Sequence, residues 1–72
     1  SELSFGDVDR NGMVESYDAA QLLQYFVGIN PNWQEWQLIV ADVDGNGVVE
    51  AYDASLILRF SVGMIDSFPC EE

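Results

Sequence analysis

Residues 42–53 read D-V-D-G-N-G-V-V-E-A-Y-D. A calcium loop of the EF-hand kind takes oxygen ligands from its first, third, fifth, seventh, ninth and twelfth residues, with glycine sixth to make the sharp turn. Here Asp42, Asp44 and Asn46 offer side-chain oxygens, and Val48 offers its backbone carbonyl. Glu50 supplies a direct or water-mediated contact, Asp53 closes the set, and Gly47 holds the turn. The closing residue departs from the general pattern. Glu normally stands there, and Asp, one methylene shorter, must bring the start of the next helix closer to the cation.

An Asp-rich, glycine-bearing turn is by itself an ordinary solvated loop. A second copy makes the metal reading specific. Residues 7–18 read D-V-D-R-N-G-M-V-E-S-Y-D, so Asp7, Asp9, Asn11, Met13, Glu15 and Asp18 fill the ligand places and Gly12 the turn, each 35 residues upstream of its counterpart. The repeat extends beyond each loop into the segment after it: residues 7–29 and 42–64 are identical at 13 of 23 places. Such similarity predicts two like loop-helix units packed about an approximate twofold axis.

Composition agrees with a metal-stapled module. At 72 residues the chain is one small domain, of a size at which a core alone rarely supplies more than about 3 to 5 kcal/mol. Cys70 is the single cysteine, so no disulfide closes within the chain, and its thiol is either incidental or used between molecules. Thirteen acidic residues face two arginines and no histidine, giving a net charge of -11. Nucleic acid is therefore not an expected partner. Four carboxylates fall in each loop, and like charges about 4 Å apart repel by roughly 4 kcal/mol at an effective dielectric near 20. Two calcium ions would relieve that repulsion and couple folding to binding. A hydrophobic content of 49% is too high for a disordered acidic tail, and no apolar run has the length of a membrane span. No signal-peptide pattern opens the chain, so a secretion signal is expected outside it.

The sequence predicts an all-α, three-helix fold in a single domain over residues 1–72. Its parts are a first unit over 7–29, a connecting turn and helix over 30–41, a second unit over 42–64 and a tail over 65–72. Residues 16–27 and 51–62 lack glycine and proline, are rich in helix formers, and stop at Gly28 and Gly63. N-P-N at 30–32 marks a turn, and 33–41 carries Trp33, Trp36 and Val40 at helical spacing. In the first helix Ala19, Leu22, Phe26 and Ile29 form the expected core stripe, with Val14 joining from the loop and Leu23 and Tyr25 lying off it. The tryptophans are expected in core and seam. Leu3 or Phe5 at one end and Phe68 at the other are placed to meet in an apolar clasp.

Two calcium loops closing in Asp, the first without an entering helix and the two joined by a connecting helix, resemble the dockerin family. The resemblance rests on Asp7, Asp9, Asn11, Gly12, Asp18 and their counterparts Asp42, Asp44, Asn46, Gly47 and Asp53. Gly6, Ala41, Gly28 and Gly63 flank and trail the loops in the same pattern. It implies a non-catalytic, monomeric module that binds a cohesin domain and attaches a secreted parent, often a polysaccharide-degrading enzyme, to a scaffold or cell surface. It further implies cohesin contacts at Ser16, Tyr17, Leu23, Gln24 and Gly28, and in the second copy at Ala51, Tyr52, Leu58, Arg59 and Gly63. The better-known first type carries small hydroxyls and basic residues at such places, whereas Tyr17, Tyr52, Leu23 and Leu58 would form an apolar patch. Because the patch is repeated, either half could face one partner site. An EF-hand-type calcium sensor and a calcium-stapled structural module packed on a neighbouring domain are the alternatives. The missing first helix argues against the sensor. No nucleophile-and-base pattern points to catalysis.

Overall fold

The computed structural model describes residues 4–71. Among them, three α-helices appear in order, α1 (Ser16–Phe26), α2 (Glu35–Ala41) and α3 (Ala51–Ser61), followed by a 3-10 turn at Pro69–Glu71. Helices α1 and α3 pack on each other. No helix among the described residues is long and apolar enough to cross a membrane.

The two long helices begin and end alike, as the repeat predicts. Glu15 and Glu50 stand in extended backbone at the N-caps, and each donates its N–H to the Asp that closes the loop, at 2.9 Å to Asp18 Oδ2 and 2.9 Å to Asp53 Oδ2. Those bonds satisfy donors that a helix start leaves open and place a carboxylate in the first turn, where the helix dipole favours it. At the far ends, Ile29 N–H reaches Gln24 O at 2.9 Å and Met64 N–H reaches Arg59 O at 2.8 Å, closing each helix through the glycine that follows it. The helices stop one residue short of the predicted 27 and 62.

Helix α2 starts two residues later than predicted. Gln34 takes the cap, donating its N–H to Gln37 Oε1 at 2.8 Å, so Trp33 stands ahead of the helix. There it stacks on Tyr25 with ring centroids 4.7 Å apart.

The buried core is Val8, Val43, Ala19, Leu22, Ala54, Leu56, Ile57, Val40, Ala41 and Phe68. The predicted stripe holds for Ala19 and Leu22 and fails for Phe26 and Ile29. Ile29 lies past the helix end. Phe26 is 49% exposed although it shares the helical period of Ala19 and Leu22, because it is the last residue of α1 and the ring beside that turn, Trp33, stacks on Tyr25 instead.

Phe68 is buried and stacks on Phe60 at 4.8 Å. Gly6 lies against it: a Cβ at Gly6 would come 2.9 Å from Phe68 Cζ, and the backbone there has φ +89, so glycine is required on both counts. Gly6 N–H is also held by Val40 O at 2.8 Å. The half-buried Phe5 packs on the same core, so the amino-terminal arm and the tail do meet. Leu3, the other residue expected in that clasp, lies outside the described residues.

Candidate metal centres and docking face

Each loop gathers three of its four acidic side chains, and Glu15 and Glu50 stay outside the clusters, on the Asn11 and Asn46 amides. Asp7, Asp9 and Asp18 bring carboxylate oxygens within 4.8 Å of one another, and Asp42, Asp44 and Asp53 do the same. Backbone donors inside the loops hold them. Asp7 accepts from Asn11 N–H at 3.3 Å and from Gly12 N–H at 3.0 Å, and Asp42 accepts from Gly47 N–H at 2.8 Å. Asp18 accepts from Val8 N–H at 3.1 Å, and Asp53 from Asp44 N–H at 3.3 Å, so each closing carboxylate ties the start of a helix to the start of its loop. Asn11 and Asn46 accept from Met13 and Val48 N–H at 3.0 Å, and they donate to Glu15 and Glu50 at 2.9 and 2.7 Å. Gly12 and Gly47 have φ +90 and +89 with open space around them, so the turn itself, not crowding, demands glycine.

These carboxylates are expensive to keep charged. Burial pushes Asp18 and Asp53 up to about 6, with neighbouring aspartates adding to the rise. Burial also raises Asp7 and Asp42. Asp42 Oδ1 is buried and has no hydrogen-bond partner among the described residues. A buried carboxylate oxygen without a donor costs free energy unless a cation takes it. Clustered hard oxygen donors of this kind fit a calcium ion.

Three supports were not legible from ligand spacing. Gln21 Nε2 donates to Asp9 Oδ2 at 3.3 Å, and Gln37 Nε2 to Val8 O at 3.2 Å. Arg10 adopts φ 57, a left-handed backbone for a non-glycine residue, and stands over the Trp36 ring at 5.2 Å. Its mismatch with Gly45 in the repeat was the one available sign.

The ten residues expected to meet a partner all lie at the exposed surface: Ser16, Tyr17, Leu23, Gln24 and Gly28, then Ala51, Tyr52, Leu58, Arg59 and Gly63. Tyr17 and Tyr52 are 61% and 50% exposed. Leu23 and Leu58 do not fill core against the connecting helix. Val27 and Val62 extend the same outward stripes, four residues beyond each Leu.

Comparison with known proteins agrees with this architecture. The family model of the dockerin type I domain matches residues 5–60. No curated protein sequence matches the chain. Among solved structures, it is similar to the ScaB dockerin of Acetivibrio cellulolyticus in complex with the third cohesin ScaC, displaying a type I interaction. The form mutated in the N-terminal helix matches at 39% identity over 97% of both chains, with a TM-score of 0.90. The form mutated in the C-terminal helix matches at 39% identity over 99% of both, with a TM-score of 0.92. A novel type I complex from Clostridium thermocellum, Coh-OlpC-Doc435, is similar at 28% identity over 93% of this chain and 97% of that one, with a TM-score of 0.83. With its family model matched over most of its length and both loop-helix units in place, the chain belongs to the dockerin type I family.

Proposed function

We propose that residues 1–72 act as one calcium-dependent docking unit that binds a cohesin and so attaches a secreted parent protein to a scaffold or cell surface. The observation that carries this is the outward pair of apolar faces, Tyr17 with Leu23 and Tyr52 with Leu58, on helices of a chain whose similar structures sit in cohesin complexes. The module itself is non-catalytic.

Two calcium ions supply the positive charge that the loops lack. The oxygens that would hold them are those of Asp7, Asp9, Asn11, Glu15 and Asp18 with the Met13 carbonyl, and those of Asp42, Asp44, Asn46, Glu50 and Asp53 with the Val48 carbonyl. Asp18 and Asp53 link this cradle to the docking face, since each sits beside a face tyrosine and fixes the first turn of its helix. Rigid loops therefore hold Tyr17 and Tyr52 in place before a partner arrives, which lowers the ordering cost of binding.

The repeat offers two orientations, one led by α1 and one by α3. Calorimetric titration against the ScaC and OlpC cohesins, with calcium and again after chelation, is the test. One-to-one binding that chelation abolishes is expected. A folded, calcium-loaded domain that binds no cohesin would favour a structural module packed on its own parent instead.

A further inference from the structure

Residues 43–45 carry the second acidic cluster. Asp42 and Asp44 stand on either side of Val43, and Asp44 N–H donates to Asp53 Oδ1 at 3.3 Å, so all three carboxylates of that cluster depend on where this stretch of backbone lies. Cys70 meets the stretch twice. Its N–H donates to Val43 O at 3.0 Å, and a Cβ at Gly45 would come 3.2 Å from Cys70 Cβ. The 3-10 turn Pro69–Glu71 carries Cys70 there, braced by Glu71 Oε1, which accepts from Phe68 N–H at 2.9 Å. The first loop shows what this contact excludes. Arg10 holds the place equivalent to Gly45 in the same left-handed turn, with φ 57 against 71. The turn therefore accepts a side chain, and what Gly45 makes room for is the tail packed on it. In the first loop the Val8 carbonyl, equivalent to that of Val43, takes Gln37 Nε2 of α2 instead.

Resting on the calcium reading above, we propose that Cys70 is a positioning residue for the second cation, holding residues 43–45 so that Asp42, Asp44 and Asp53 converge on it. The role belongs to the backbone N–H and the Cβ of Cys70, not to its thiol. Groups that orient a metal's ligands without touching the metal govern its affinity nearly as the ligands do. Whatever lifts the tail off residues 43–45 therefore loosens the second site, while the first keeps its brace on Gln37.

The experiment reads calcium affinity loop by loop in the full chain, from the amide signals of Gly12 and Gly47, which donate to Asp7 and Asp42, as buffered free calcium is lowered. An ester in place of the peptide bond between Pro69 and Cys70 removes that N–H alone. It is expected to weaken the second site about fivefold and to change the first less than about twofold. Gly45→Asn, which the left-handed turn tolerates, should weaken the same site by crowding Cys70. Adding Cys70→Gly removes the crowded Cβ, keeps the N–H, and should restore the affinity. Cys70→Ala alone should change neither site. Circular dichroism of the calcium form checks that each variant is folded. Equal weakening at both loops would reduce Cys70 to a general stabiliser, and an unchanged Gly47 titration in the ester chain would leave it no role; either overturns the assignment. A Gly45→Asn loss that Cys70→Gly does not relieve would place its cause in the turn itself and likewise overturn it. A parent chain that binds no calcium overturns the metal sites and this assignment together.

Discussion

The first and second loop-helix units share their loop sequences almost letter for letter, yet each is held by different neighbours. In the first, Gln37 on α2 caps the Val8 carbonyl, Arg10 lies over Trp36, and Tyr25 stacks on Trp33. In the second, the tail performs the same tasks: Cys70 N–H caps the Val43 carbonyl at 3.0 Å, Gly45 lies against the Cys70 side chain, and Phe60 stacks on Phe68. Equivalent needs are met by non-equivalent groups. A duplicated unit that keeps its acidic loops and its outward tyrosine and leucine is free to change what closes its back.

The largest test of that comparison is removal of metal from both halves. Chelation is expected to abolish most helical circular dichroism and return it on calcium addition. Each loop filled at about 1,000 times its Kd adds ~4 kcal/mol.

Next come the two aromatic platforms, which serve like roles from different depths. Phe68 is buried and Trp33 only half-buried. Phe68→Ala should lower stability by about 3 to 5 kcal/mol in urea unfolding of the calcium form. Trp33→Ala should cost about 1 to 2 kcal/mol.

Acidity separates the metal-free from the loaded protein. Asp18 and Asp53 have folded values of about 6, above the ordinary carboxylate value of 3.8, so without metal the folded state binds more protons than the unfolded one. Their contribution to stability is full below 3.8 and is lost as pH rises through about 6, so the chelated domain, largely unfolded at pH 7, should recover helical circular dichroism at pH 4.5. The calcium form should show the opposite slope, because protons compete with the cation for the same oxygens. Parallel slopes with and without calcium would exclude these carboxylates as ligands.

The smallest effect concerns Gln21, whose hydrogen bond steadies Asp9, while its counterpart Leu56 is buried and has nothing to donate. Gln21→Leu should weaken one of the two calcium sites roughly fivefold, equivalent to ~1 kcal/mol, and leave the other unchanged in a terbium-luminescence titration.

The two aspartate clusters, the helix order and the repeat were legible because oxygen donors, glycine turns and helical periods are local properties of the chain. Phe26 was misread because Ala19, Leu22 and Phe26 share a helical period. Which residue of the last turn points inward was decided by Trp33, eight residues further on. The start of α2 was misplaced because a glutamine pair, Gln34 with Gln37, makes a less conspicuous cap than Ser or Asp. Gln21 gave no sign of its role, since a polar residue on a helix flank is ordinarily solvated. The meeting of Phe5 and Gly6 with the Phe68 region could be anticipated only because the repeat implied a twofold.

The seat of Gly6 on Phe68 has a mechanical consequence. A load applied through the amino-terminal arm would act first on the Gly6 to Val40 hydrogen bond and on the glycine lying against the ring, before it reached either loop. Tension on a tethered module would thus be met where the arm seats on α2 and the tail, leaving α1, α3 and their acidic loops unloaded until that seat had sheared.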